Sequence, residues 1–222
     1  PRPGLPAAHR PRPPQRLRGA DRGGEDAQPG ADQPRALRRR RRVPAQHVAG
    51  TKTAAARFED IIAALEQAQV RYVVAGGFAV NLHGFLRFTK DLDLLVDLEP
   101  DNAGHAMRVL ASLGLKPRVP VAIEEFADPA KRDDWFHNRN MPVFQLWDPD
   151  DAFCTVDVFI RNPIDFAQLW SNSEHVDLGR TACRIAGIED LIAMKAQAGQ
   201  PQDLRDIEEL SHILRLSGRE GA

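Results

Sequence analysis

The sequence predicts an α+β (α/β) fold in which a small mixed β-sheet is flanked by helices, two of them at the C-terminal end. Within residues 72–113 a strand, a helix, a second strand and a second helix follow closely, a series that suggests an α/β or α+β sheet. Two further strand-like runs, 143–147 and 154–160, flank a strong turn signal and form a predicted hairpin. The composition, 42% hydrophobic and 27% charged, is typical of a soluble globular protein.

Residues 1–50 differ in composition from the rest and are predicted to be a disordered tail, with one folded domain at residues 51–218. The segment is rich in Pro, Arg, Gly and Ala and cannot bury enough apolar surface to offset its ordering entropy. Its run Arg38 to Arg42 can hold RNA phosphates, a hypothesis that deletion of the residues before Thr51 tests. An organelle transit peptide is disfavoured because the segment lacks Ser and contains acidic residues. The favoured interpretation is a solvated tail, or a start site assigned too early.

The two cysteines, Cys154 and Cys183, lie in apolar runs and lack the spacing of metal ligands. We therefore expect buried, reduced thiols in a cytoplasmic protein. No apolar run approaches the ~20 residues that cross a bilayer, so we expect no membrane partner. The formal net charge of -1 averages the basic tail with a more acidic remainder and says little about partners.

The folded part begins near Thr53 with an amphipathic helix of about four turns that packs on the sheet. Its apolar side chains recur at helical spacing, at Phe58, Ile61, Ile62, Leu65 and Ala68. Residues 72–75 form a short strand, Gly76-Gly77 the turn into a helix that ends at Gly84, and residues 92–97 the next strand. Pro100-Asp101 stops that strand and begins a further helix.

The second half of the chain is predicted less uniformly. Residues 122–140 mix charged and aromatic side chains and suggest a short helix followed by an exposed loop, with Trp135 to His137 partly packed rather than stacked on a base. After the hairpin, residues 166–170 form a helix and residues 176–185 two short strands or an irregular excursion. Two helices follow from Ile188, separated by Gly199 and the helix-starting Pro201.

The first candidate site is the pair Asp91 and Asp93 at the start of an apolar run. Alternate residues of a strand point to one face, so the two carboxylates project together and repel each other. A shared proton or cation relieves that repulsion, and the absence of His or Cys nearby favours a hard cation such as Mg²⁺. An exposed strand face explains the pair in isolation equally well.

Asp157 and Gly76-Gly77 add to this site. Asp157 is the one carboxylate of the apolar run TVDVFI, where a buried charge needs a partner, and a metal ion shared with the first pair is the economical candidate. Glycines at a strand-to-helix turn let backbone N–H groups approach a phosphate, although such a pair is more often structural.

Four charged residues near the C-terminus are weaker candidates. Asp203 is explained by the dipole of a helix beginning near Pro201, Arg205 by a solvated surface, and Lys195 by the polar face of its helix. Asp206 completes the group.

This combination resembles the nucleotidyltransferase superfamily with the DNA polymerase β-like palm. Its signature is a strand, Gly-Gly or Gly-Ser, a short helix, Asp-x-Asp on the next strand and a third acidic residue on a later one. Within it, AGGFAVNLHG followed by RFTKDLDLLV looks most like the minimal bacterial group that includes the AbiEii-type toxins. KAQAGQPQDLRDIEEL also resembles that group's C-terminal Lys and Asp motifs. The resemblance covers residues 57–216 and leaves the Arg-rich front unmatched.

The resemblance implies a metal-dependent enzyme that moves an NMP from an NTP such as ATP to an acceptor hydroxyl and releases pyrophosphate. Asp91 and Asp93 would ligate Mg²⁺, with Mn²⁺ as the alternative ion, and Asp157 would complete the site for the hydroxyl-activating ion. These three and Lys195 form the implied catalytic set.

The nucleotide-binding set follows from the same resemblance. Gly76, Gly77 and Thr89 would hold the triphosphate, whose charge Lys195 would neutralise. Arg87 would contact phosphate, although a surface salt bridge explains it equally well. Asp206, with Asp203 second, matches the C-terminal acidic motif and would support the site.

Family analogy favours RNA, especially a tRNA end, over a protein hydroxyl as the acceptor, and implies a cognate antitoxin or toxin as a partner protein. The alternative is a non-catalytic nucleotide-binding or toxin–antitoxin interaction module that keeps the fold. It is disfavoured because every expected carboxylate is present.

Overall fold

The structure, a computed structural model, describes residues 54–218. The Arg38 to Arg42 run and the predicted tail at residues 1–50 lie outside the described residues, so the hypotheses made for them stay predictions.

Helices and strands alternate along the described chain. The helices are α1 Ala54–Gln67, α2 Gly76–His83, α3 Pro100–Ser112, α4 Pro129–Asn138, α5 Phe166–Asn172, α6 Ile188–Ala198 and α7 Pro201–Leu216, with a 3-10 helix at Ile123–Ala127. The strands are β1 Tyr72–Ala75, β2 Asp91–Val96, β3 Lys116–Pro117, β4 Val143–Asp148, β5 Asp151–Phe159, β6 Glu174–Asp177 and β7 Ala182–Ile185. The predicted α+β fold, a mixed sheet flanked by helices, is confirmed.

The strands form one mixed sheet in the order β3-β4-β5-β2-β1-β7-β6. Strand β2 lies at its centre, antiparallel to β1 and parallel to β5. Antiparallel pairing also joins β4 to β5, which confirms the predicted hairpin, and joins β6 to β7, so of the two alternatives for residues 176–185 the structure has the two short strands.

The two faces of β2, β4 and β5 differ sharply in burial. One face belongs to the hydrophobic core, and its fully buried side chains are Leu92, Leu94, Phe144, Leu146, Val156 and Val158. The alternate side chains are only partly buried: Asp91, Asp93, Gln145, Trp147 and Asp157. The strand alternation therefore places all three candidate carboxylates on the polar face of the sheet.

The prediction of an exposed loop within residues 122–140 was wrong. Helix α4 begins at Pro129, with the Asp128 carboxylate accepting a hydrogen bond from the Ala130 N–H at 2.8 Å. Trp135 is fully buried and stacks on Phe144, with ring centroids 5.2 Å apart. An N-cap and a proline at the first helical position start this helix, and the buried Trp135 and Arg132 side chains hold it in place.

Two smaller findings complete the fold. Cys154 and Cys183 are both free and buried, as predicted. Across residues 54–218, no helix combines the length and the apolar character needed to cross a bilayer.

Candidate active site

The candidate carboxylates meet on two neighbouring parallel strands. Asp93 of β2 lies directly opposite Asp157 of β5, and Asp91 lies opposite Thr155 on the same face. Neighbouring strands are separated by about 4.8 Å, so the three carboxyl groups share one small region of the polar face. The structure thus brings together the residues that the sequence separates by more than sixty positions.

Mutual repulsion and burial change the acid–base behaviour of Asp93. Burial is the main cause that raises its pKa to about 7, and the charges of Asp157 and Asp91 raise it further. The Lys195 charge and a hydrogen bond from the Gly77 N–H oppose this rise. Near neutral pH, Asp93 is therefore present in both its protonated and its ionised form.

Asp157 has a protein partner that the sequence analysis missed. Burial raises its pKa, while the Gln145 amide nitrogen donates a hydrogen bond to Asp157 Oδ1 at 2.8 Å and acts in the opposite direction. Gln145 thus supplies a partner for one oxygen of Asp157, and the binding of a metal ion by Asp157 stays a prediction. Gln145 was detectable as the polar residue of the apolar run VFQLWD, directly opposite Asp157.

Gly76 and Gly77 allow α2 to begin directly against the carboxylates. Gly76 has φ +58, and a Cβ atom there would lie 1.8 Å from Asp93 Oδ2. A Cβ on Gly77 would lie 2.6 Å from Thr89 Oγ1 and 2.9 Å from Arg87 Nη1. The glycines thus bring the helix N-terminus against Asp93, Thr89 and Arg87, and the Gly77 N–H is engaged by Asp93. Their binding of a triphosphate stays a prediction.

Lys195, Asp203 and Asp206 form a buried ion-pair network with Arg87. Lys195 Nζ lies 2.6 Å from Asp206 Oδ2 and 3.1 Å from Asp203 Oδ1. Arg87 binds the same Asp206 carboxylate through two hydrogen bonds of 2.7 Å each. Burial opposes ionisation of Asp206, but these two cations outweigh burial and lower its pKa. The interpretation of Lys195 as a solvated helix face was wrong, since the residue is 7% exposed.

Arg87 is fixed by a second residue that the sequence analysis did not assign. The Asn81 side chain accepts a hydrogen bond from the Arg87 N–H and donates one to the Arg87 carbonyl, each at 2.9 Å. Asn81 interrupts the apolar helix AVNLHG, which was the available signal. Arg205, predicted to be solvated, is exposed and lies over the Phe85 ring at 5.5 Å.

The donor set can be tested for its fit to a metal ion. Within residues 54–218, no group of three or more His, Cys, Asp or Glu side chains is already spaced to hold an ion. The three clustered carboxylates supply only oxygen donors, and burial together with their mutual repulsion raises the pKa of Asp93. Oxygen-only donors suit Mg²⁺ or Mn²⁺ better than softer ions, so the chemistry of the residues fits the predicted cation.

No protein-family model and no curated protein matches the chain. Among solved structures, the chain is similar to the lincosamide antibiotic adenylyltransferase LnuA bound to lincomycin, with 16% identity and a TM-score of 0.48 over 73% of this chain and 98% of that one. It is also similar to ANT(2'')-Ia in complex with adenylyl-2''-tobramycin, with 17% identity and a TM-score of 0.46 over 73% and 88% of the two chains. The solution structure of the antibiotic-resistance factor ANT(2'')-Ia gives 17% identity and a TM-score of 0.47, over 73% and 83%.

Proposed function

We propose that this protein transfers a nucleoside monophosphate from an NTP to an acceptor hydroxyl, with release of pyrophosphate. The observation that carries the proposal is the placement of Asp93 opposite Asp157 on parallel strands, with Asp91 on the same face. The helix N-terminus at Gly77 and the Lys195 ammonium both act on Asp93 from nearby. Such a site combines carboxylates for cations with groups that attract a polyphosphate.

The reaction makes one bond and breaks one. The acceptor oxygen attacks the α-phosphorus, the bond from that phosphorus to the oxygen bridging to the β-phosphate breaks, and pyrophosphate leaves. Asp157 takes the acceptor proton as the new bond forms. Mg²⁺ held by Asp91, Asp93 and Asp157 would supply charge neutralisation of the triphosphate and a lower pKa for the acceptor hydroxyl.

Positive groups beside the carboxylates bind the triphosphate in this proposal. Arg87 and Lys195 lie on one side of the site and are held by Asp206, which limits the freedom that they lose when a nucleotide binds. Gly76, Gly77 and Thr89 form the wall where α2 begins. Asp203 and Asp206 act by orienting the two cations.

For the acceptor we propose RNA, with a tRNA end first and a protein hydroxyl second, on family analogy. A toxin–antitoxin context, with a cognate partner protein, belongs to the same analogy. The RNA acceptor and the toxin–antitoxin context are separate from the transfer reaction, so either can be rejected while the transfer reaction stands.

The test is to incubate the full chain with Mg²⁺, each NTP in turn, and total RNA, purified tRNA, protein, lincomycin or tobramycin. Mass spectrometry of all these acceptors should reveal one added NMP on the RNA. Asp93→Ala should abolish the addition, whereas Asp133→Ala, an exposed carboxylate on α4, should leave it unchanged. Addition that survives Asp93→Ala would falsify the proposed reaction.

The alternative function is a non-catalytic nucleotide-binding or interaction module with the same fold. One observation favours it: Arg87 and Lys195, assigned to the triphosphate, are both already paired with carboxylates. Calorimetry separates the two functions. The module predicts nucleotide binding with no pyrophosphate after long incubation, and the enzyme predicts release.

A further inference from the structure

A basic and aromatic edge of the sheet borders the three carboxylates. We define the basic edge as Lys116, Arg118 and Trp147. Lys116 of β3 lies opposite Trp147 of β4, Trp147 lies opposite Thr155 of β5, and Thr155 lies opposite Asp91. One continuous row of residues therefore runs across the sheet from the basic edge to the first carboxylate.

A second row leads from Arg118 to the other two carboxylates. The Arg118 N–H donates to the Gln145 carbonyl at 3.0 Å, and Gln145 lies opposite Asp157, which lies opposite Asp93. The Arg118 guanidinium lies 5.9 Å from the Trp147 ring centroid, within the range of a cation–π contact. The neighbouring Leu146 is buried in the core, so Trp147 lies on the opposite, polar face of the sheet. Since the Arg118 guanidinium lies over the Trp147 ring, it is on the same face as the carboxylates.

The distances suit neighbouring parts of one ligand. Trp147 is two strands away from Asp91, a separation of about 10 Å at the usual strand spacing. The terminal few nucleotides of a strand can span that distance, so one nucleic-acid end can touch both places.

The basic edge and the adjacent Lys90 carry positive charges that are exposed to solvent. Lys90, Lys116 and Arg118 are exposed, and no carboxylate of residues 54–218 lies within ion-pair distance of them, in contrast to Lys195 and Arg87. Burial raises the pKa of Asp157 overall, and the charges of Lys90 and Arg118 oppose that rise, which places both near the candidate site. An anionic ligand is attracted here and a cationic one is repelled.

We propose that the basic edge is the acceptor subsite and binds the end of a single-stranded nucleic acid, an inference that rests on the proposed function. Lys116 and Arg118 contact phosphates of the strand, and a base near its end stacks on the partly exposed Trp147 ring. The terminal hydroxyl then lies over Asp157 and Asp93. A small neutral or cationic acceptor gains little from these three residues.

The test measures binding without NTP, by fluorescence anisotropy of a short labelled single-stranded RNA with the full chain. Lys116→Gln together with Arg118→Gln should weaken binding and reduce the slope of log affinity against log salt by about 0.7 for each phosphate that the variant no longer neutralises. Trp147→Leu should weaken binding by about fivefold or more, and Trp147→Phe by less, because Phe keeps a ring for stacking. Arg38 to Arg42 is common to all variants, so the differences report the basic edge alone.

The matched control is another arginine over an exposed aromatic ring. Arg161 lies 4.8 Å from the Phe136 ring, on the side where α4 covers the core. Arg161→Gln and Phe136→Leu should leave the affinity and the salt slope unchanged. Circular dichroism and thermal unfolding of each variant verify that it is folded.

Two outcomes overturn the subsite: equal RNA affinity for the edge and control variants, or equally strong competition by an acidic peptide. The transfer assay separates this inference from the proposed function. Transfer to a small molecule or protein with normal rates in the edge variants rejects the subsite and leaves the enzyme. RNA binding that depends on the edge, without any transfer, supports a nucleic-acid site at the edge but rejects both the enzyme and the acceptor role of that site.

Discussion

Replacement of Gly76 by alanine is expected to strain the backbone and to displace the Asp93 carboxylate. The residue has φ +58, and an added Cβ would lie 1.8 Å from Asp93 Oδ2 and 2.9 Å from Asp93 Cβ. Rotation of the carboxylate alone cannot relieve both overlaps. Gly76→Ala must therefore strain the backbone and also displace Asp93 from the Gly77 N–H.

Gly199 provides a control with nearly the same backbone angle. It has φ +64 at the end of α6, and nothing lies within 4 Å of an added Cβ. Gly199→Ala should lower the free energy of unfolding by about 1–2 kcal/mol, the penalty of left-handed backbone for a residue with a Cβ. Gly76→Ala should lower it by about 1–3 kcal/mol more, because of the overlap with Asp93.

The effect on transfer should be larger than the effect on stability. The Asp93 carboxylate must move by about 1 Å, and a misplacement of that size can reduce a rate by about 100-fold. Urea unfolding and the rate of pyrophosphate release measure the two effects. If Gly76→Ala matches Gly199→Ala in both measurements, the close approach of Gly76 to Asp93 is not as described.

Three further predictions follow from the charges of the site. The pKa of Asp93 is raised from 3.8 to about 7, so folding disfavours its ionised form. In EDTA, the free energy of unfolding should therefore fall as the pH rises from about 4 to above 7, and Asp93→Asn should flatten that fall. At about pH 8, Mg²⁺ should restore the lost stability. Gln145→Leu removes the hydrogen bond that lowers the pKa of Asp157, so the acidic limb of the pH–rate profile should move to higher pH, and an unmoved limb would contradict Asp157 as the base. Asp206→Ala leaves Arg87 and Lys195 without the carboxylate that they share, and it should lower the free energy of urea unfolding by about 3–5 kcal/mol. The control Asp133→Ala removes an exposed carboxylate and should lower it by about 1 kcal/mol or less. Equal changes in the two variants would refute the buried network.

The sequence predicted those features that depend on local patterns. The strand β2 with its two carboxylates, the Gly-Gly start of α2 and the β4–β5 hairpin all follow from alternation, glycine and turn residues close together in the chain. Placement of Asp157 beside Asp93 was also predictable, because a lone carboxylate in an apolar strand indicates a shared polar site.

Other features that depend on pairing between distant segments were not predictable. Gln145 contacts Asp157 only through the register of β4 and β5, and Arg87 reaches Asp206 only because α7 packs near α2. Helix α4 was missed because its sequence is charged and only two of its side chains, Arg132 and Trp135, are buried. Periodicity reports neither a register nor a single buried ring.

The most direct test of the central claim uses NTP labelled either at the α-phosphate or at the γ-phosphate, with Mg²⁺ and the acceptor found by mass spectrometry. Nucleotidyl transfer predicts that α-label enters the acceptor, that γ-label leaves as pyrophosphate, and that Asp157→Asn stops both. Entry of γ-label into the acceptor, or α-label transfer that Asp157→Asn leaves undiminished, would contradict the account.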